Sequence, residues 1–230
     1  MRTSILALLL ASLAACHTRA PGPLRVEHGR VGVVLIDAQP SFVATMHGDS
    51  EPVLQRLEQL LVHASITDAP VLATFEVPTE RNGELPARLE AVWPQHGVRH
   101  LKRTFDCCRE PAIRTALREM GVEQVVVAGA ETDVCVLQSC LGLLEMGFEV
   151  FLLEDCVFSN EPNVGPALRR MQQAGVVPTT FKTYFYEVER SVAADDRPPE
   201  WRARWEQLRV HFRSPYKLAP SRVDERRKQP

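Results

Sequence analysis

Short apolar runs rich in β-branched residues alternate along this chain with segments of helical periodicity, and most of the connections between them are short. Val31–Ile36 is apolar throughout and stops at Asp37, the pattern of a strand buried on both faces. From about Pro52 to Thr67, Leu54, Leu57, Leu60, Leu61 and Ala64 recur at helical spacing. Further strands are expected over Val71–Phe75, Val98–Lys102, Gln124–Ala128 and Glu149–Glu154, with Val176-Val177 opening another. Helices are expected over Pro111–Met120, Asp133–Met146 and Val164–Ala174, each closed by a glycine. Glu76–Gly97 carries Asn82-Gly83 and three prolines and reads as a loop with room for a lid.

Strands and helices in that alternation predict an α/β fold: a three-layer, doubly wound (Rossmann-like), mostly parallel sheet with helices on both faces. Such sheets place their sites at the carboxyl ends of the strands. Asp37, Lys102 and the turn after Ala128 all fall at such ends. Beyond Glu187 the pattern fades. Ala193–Pro199 is linker-like, Trp201–Val210 is compatible with a helix, and Arg222–Pro230 reads as frayed.

A formal net charge of −2 over 230 residues supplies no global field for nucleic acid, so no nucleic-acid partner is expected. No apolar run long enough to span a bilayer lies beyond the N-terminus, which excludes a polytopic membrane protein. The first sixteen residues pair one arginine with a short apolar stretch, the pattern of a secretory signal. Leu13-Ala-Ala-Cys16 resembles the lipobox of bacterial lipoproteins, with Cys16 as the lipidated residue. The expected organisation is a signal and lipobox over 1–16, a tether over 17–30, a catalytic domain over 31–190 and a C-terminal extension over 191–230. The protein is thus expected to be exported and anchored to a bacterial membrane. His17 in place of an aspartate after the cysteine favours the outer membrane, facing the periplasm.

Gly129-Ala-Glu-Thr-Asp-Val-Cys-Val136 joins a buried strand to a helix and sets Cys135 in the helix's first turn. Exposed N–H groups and the helix dipole favour a thiolate there. Taken singly, Cys135 reads equally as a small buried hydrophobe, Asp37 as a helix cap and Lys102 as a surface lysine. Their convergence on one edge of one sheet is what favours chemistry. Asp37 can accept the thiol proton and Lys102 favours the thiolate electrostatically.

These residues make the chain resemble the isochorismatase-like cysteine hydrolases, the superfamily that includes nicotinamidases. Asp37-Ala-Gln39-Pro-Ser-Phe42 is similar to that family's Asp-x-Gln-x-x-Phe block, Lys102-Arg-Thr-Phe105 to its lysine segment, and Gly129–Val136 to its nucleophile block. The resemblance implies Cys135 as nucleophile, Asp37 as general base and Lys102 as the supporting cation. It also implies a cis peptide at Ala130–Glu131, with backbone N–H groups of that turn and of Cys135 holding an oxyanion. The implied activity is hydrolysis of a small-molecule amide C–N bond through a thioester, with no cofactor. Gln39, Phe42, Phe75 and Glu76 are candidates for the substrate pocket.

Nicotinamidases of this superfamily carry an Asp-x-His metal motif, and Asp49–Pro78 contains none. His47, His63, His96 and His100 are scattered and read as surface residues, so no metal site is expected. Vinyl-ether hydrolysis of an isochorismate-type substrate, and an inactive binding or scaffolding lipoprotein of the same fold, are the alternatives. The resemblance suggests a homo-oligomer. Trp201, Trp205, Leu208 and Phe212 form an apolar stripe that must pack on its own domain or on a neighbouring subunit. Four further cysteines, Cys107, Cys108, Cys140 and Cys156, have no deducible pairing.

Overall fold

In the computed structural model, which describes residues 24–193 and 196–212, six strands pair in the order β3-β2-β1-β4-β5-β6, every pair parallel. They are β1 (Val31–Ile36), β2 (Val71–Glu76), β3 (Val98–Lys102), β4 (Gln124–Ala130), β5 (Glu149–Phe158) and β6 (Val177–Thr179). This is a doubly wound sheet whose order reverses between β1 and β4, and ligands in such folds bind beside that reversal.

Period two along each strand divides the apolar side chains between two cores. Val31, Val33 and Leu35 of β1 join Val126 and Ala128 of β4 on one face, with α2 (Ser50–Thr67), α8 (Phe181–Glu189) and α9 (Pro199–Leu208). Val34 and Ile36 join Val125 and Val127 on the other, with α5 (Pro111–Glu119), α6 (Leu137–Glu145) and α7 (Gly165–Ala174). α2 begins two residues earlier than its apolar spacing suggests, because the Asp49 side chain accepts from Glu51 N–H and caps it. β4 and β5 each run past the residues their apolar runs mark.

Three short helices were not legible in the sequence: α1 (Pro40–Thr45), and α3 (Thr79–Asn82) and α4 (Ala87–Glu90) within the expected loop. The helix that follows β4 does not start at Asp133. A single π-helical turn covers Thr132–Val136, and α6 follows it.

The signal and lipobox, the first part of the tether and residues 213–230 lie outside the described residues. Leu24–Arg30 runs along the domain, with Val26 buried and its N–H donating to Glu187 Oε2 at 3.0 Å. The apolar stripe of the C-terminal extension packs on its own domain. Trp201 is 5% exposed, and Trp205, Leu208 and Phe212 rest on the core of the α2 face. Among the described residues no helix is long and apolar enough to cross a membrane.

Candidate active site

β1 delivers Asp37 at its carboxyl end with φ 42°, a left-handed conformation that non-glycine residues rarely adopt. The neighbouring strand holds it there. Asp37 N–H donates to Thr74 O at 3.1 Å, and the Thr74 hydroxyl donates to Asp37 Oδ1 at 2.8 Å. Lys102 ends β3 and turns its ammonium inward, 2.6 Å from Asp37 Oδ2, with both side chains fully buried. Cys135 lies in the π-helical turn after β4, where Lys102 Nζ donates to its sulfur at 3.4 Å. Glu76 ends β2, and its Oε2 lies 3.5 Å from Lys102 Nζ and 3.5 Å from Cys135 Sγ, accepting from the thiol. Four adjacent strands thus contribute one group each.

The turn that leads from β4 to Cys135 depends on close backbone approach. Gly129 has φ 112°, and a Cβ there would stand 1.8 Å from Ile36 O, so no other residue fits. The Ala130–Glu131 peptide is cis, as the family resemblance implies. Glu131 Oε1 accepts from Asn160 N–H at 3.3 Å and Asp133 Oδ1 from the Ser159 hydroxyl at 2.6 Å, tying the turn to the end of β5.

Burial dominates the electrostatics. It pushes the Asp37 carboxyl above its ordinary range, against the pull of the Lys102 charge and the hydrogen bonds from Lys102 and Thr74. Burial also acts to lower Lys102, but the charges of Asp37, Cys135 and Glu76 prevail and hold the ammonium above its usual value. Burial, then the Asp37 charge, pushes the Cys135 thiol up, over the opposing effect of Lys102. The expectation that the helix start and Lys102 would favour a thiolate is overridden by desolvation.

Asp37, Lys102 and Cys135 are therefore brought together, and of the four pocket candidates Glu76 is the one that hydrogen-bonds the Cys135 sulfur. Gln39 is fully buried and works on the backbone. Its Oε1 accepts from Glu76 N–H at 2.7 Å, and its Nε2 donates to Gly83 O at 2.6 Å and Glu76 O at 3.2 Å. Phe42, on α1, is half-buried against the core, and Phe75 is 2% exposed within it. Sequence reasoning missed Thr74. The available signal was Thr74 and Glu76, two polar residues two apart in an otherwise apolar strand, which period two puts on one face.

The donor atoms of Asp37, Glu76 and Cys135 lie within 4.8 Å of one another, and the group they surround is the Lys102 ammonium. His47 and His96 are exposed, as expected of surface histidines. His63 is not at the surface. It is fully buried between α2 and α8, its Nδ1 3.3 Å from the Tyr184 hydroxyl and its Nε2 3.7 Å from Glu189 Oε1. The apolar face of α2 masks it: at a core position only Nδ1 of the ring finds a hydrogen-bond partner, and that partner is distant in sequence, while Nε2 has none among the described residues. Cys107, Cys108, Cys140 and Cys156 are buried free thiols, as is Cys135.

The isochorismatase domain model matches residues 31–183, about two thirds of the chain and the whole span from β1 into α8. The chain belongs to the isochorismatase family. Isochorismatase family protein 2A of Dictyostelium discoideum is 39% identical over 72 residues, 31% of this chain and 36% of that protein, so the chain spans about a third of that relative's length. The probable hydrolase YcaC of Escherichia coli (strain K12) is 26% identical over 170 residues, 73% of this chain and 81% of that one. The E. coli YcaC crystal structure, described as an octameric hydrolase of unknown specificity, superposes with a TM-score of 0.73 at 21% identity, covering 84% of this chain and 95% of that chain. The MAR1 ribonuclease of Caenorhabditis elegans superposes at 0.71 with 22% identity over 86% and 98% of the two chains. The pyrazinamidase/nicotinamidase of Streptococcus mutans UA159 superposes at 0.56 with 19% identity over 65% and 99%. Names this different on one family fold mean that the fold does not select the reaction, and the site must.

Proposed function

We propose that this isochorismatase-family protein is a cysteine hydrolase that cleaves a small-molecule amide C–N bond through a thioester, without a metal. One observation carries the reading: a buried thiol 3.4 Å from a lysine ammonium that is itself 2.6 Å from a buried carboxylate. Asp37 takes the thiol proton as Cys135 Sγ attacks the amide carbonyl carbon, and Lys102 offsets the charge that moves between them. Backbone N–H groups of the Ala130–Glu131 turn and of Cys135 meet the tetrahedral oxyanion. Asp37 returns the proton to the departing amine as the C–N bond breaks, and water then hydrolyses the thioester to a free acid, restoring the thiol. A vinyl ether offers sulfur no carbonyl to attack, so the placement of Cys135 favours the amide.

The test is a panel of small primary amides with wild type and Cys135→Ala. Turnover by wild type, an acyl adduct on Cys135 by mass spectrometry, and loss of both in the variant are expected. Equal rates for the two proteins would overturn the reading. We also propose export and lipid anchoring through Cys16, supported by Leu13–Cys16, and a homo-oligomer, supported by the octameric relative. Cys16→Ser should move the protein out of the membrane fraction, and unchanged detergent-dependent partitioning would remove Cys16 as the anchor.

A further inference from the structure

Two carboxylates contact this centre, and the one lysine among them lies far closer to Asp37, at 2.6 Å, than to Glu76, at 3.5 Å. Lys102 is shared between two carboxylates, so the centre holds one acid more than it has cations, and Glu76 is the acid 3.5 Å from the sulfur. Its position is not a matter of side-chain drift. Gln39 clamps the Glu76 backbone from both sides, and Asn82 Nδ2 donates to Glu76 O at 3.1 Å. The Glu76 side chain is 23% exposed, whereas those of Asp37 and Lys102 are fully buried, so it faces what enters. Two more acids stand at the same edge. Glu131 is held up first by burial and then by the charges of Asp133 and Glu76, and among the described residues neither Glu131 nor Asp133 forms an ion pair.

We propose that Glu76 sets the charge this site accepts: an uncharged or positively charged small amide, whose N–H donates to Glu76 Oε2, and not an amide bearing a carboxylate beside the scissile bond. An anion beside the sulfur would meet two carboxylates that share a single lysine, across a partly desolvated gap where like charges repel more strongly than in water. The word amide rests on the function proposed above. The charge filter does not, and it can be read at the thiol without any turnover.

The experiment measures alkylation of Cys135 by iodoacetamide and by iodoacetate, site by site with peptide mass spectrometry, against glutathione as the free thiol. Both reagents form the same S–C bond and release iodide, and they differ in charge. The neutral-to-anionic rate ratio at Cys135 should exceed that of glutathione at least tenfold. It should fall at least threefold in Glu76→Gln and be retained in Glu76→Asp. A wild-type ratio equal to that of glutathione overturns the proposal, as does a ratio unmoved by Glu76→Gln. Failure of iodoacetamide to reach Cys135 also overturns it, since the site would then be closed to small ligands. If the ratio behaves as expected while no amide is turned over, the amidase reading falls and the charge filter stands.

Discussion

At the scale of single residues the decisive object is the Asp37–Lys102 pair. Both side chains are fully buried, and removing one partner of such a pair strands the other's charge. Asp37→Asn should therefore abolish turnover and, although the amide is nearly isosteric, also cost about 3–5 kcal/mol in urea denaturation. Asp37→Asn combined with Lys102→Met should recover much of that stability and none of the activity, and a double variant no more stable than the single one would show that the pair is not what the fold lacks. The raised Asp37 carboxyl also fixes the acid limb of the pH profile. In the proposed reaction Asp37 must be deprotonated to act as base, so kcat/KM should fall as pH drops through a value above the ordinary 3.8 of an aspartate. An acid limb at or below that value would mean that Lys102 outweighs burial. Asp37, Lys102 and Cys135 were legible because the end of an apolar run marks a strand terminus. The contacts of Glu76 and Thr74 with them were not, since they depend on which strands lie side by side.

At the scale of elements, the alternation of β-branched runs with helical spacing was enough to read the sheet and the longer helices. What escaped it was whatever owes its existence to tertiary contact. α1 is six residues long, and α8 mixes aromatic and β-branched residues that have no strong helical preference alone. Its Phe181, Tyr184, Phe185 and Val188 are buried against α2, and that packing makes the helix. His63 sits in the same seam, among Tyr184, Glu189, His28 and Arg197, and burial holds its imidazole below the ordinary 6.5. The unfolded chain thus binds the His63 proton first, so stability should decline as pH falls below about 6.5 and level off at the lower folded value. Glu189, held below its ordinary value despite burial by the neighbouring His63 and by Arg197, adds a loss only at lower pH. In His63→Gln the decline between about pH 6.5 and 5 should flatten in urea titrations, and an unchanged slope would assign it to another group.

At the scale of the molecule, residues 199–212 of the C-terminal extension pack on the domain. Arg204 Nη1 donates to Ile66 O at 3.0 Å and pairs with Asp68 at 2.6 Å, closing the end of α2, while the tilted rings of Trp205 and Phe212 pack with centroids 4.8 Å apart. Trp201→Ala should cost about 3–5 kcal/mol and leave the specific activity of the folded fraction intact; a Tm within a degree of wild type would show that the helix is only laid on the surface. The N-terminal stretch meets the same region, the His28 ring lying edge-on to Trp201 at 4.5 Å. Gln124, the first residue of β4, binds that stretch too, donating to Arg25 O and accepting from Glu27 N–H. Leu24–Arg30 is thereby fixed at the amino ends of the strands, and the thiol lies at their carboxyl ends, a strand length or about 20 Å away. That separation gives the molecule a direction. A bead, a bilayer or a surface holding the chain upstream of Leu24 takes hold of one pole and leaves the reactive pole turned toward the surrounding solution. Protein coupled to resin through its N-terminus should consume substrate at the rate of free protein, whereas coupling near the β5–α7 connection should throttle it.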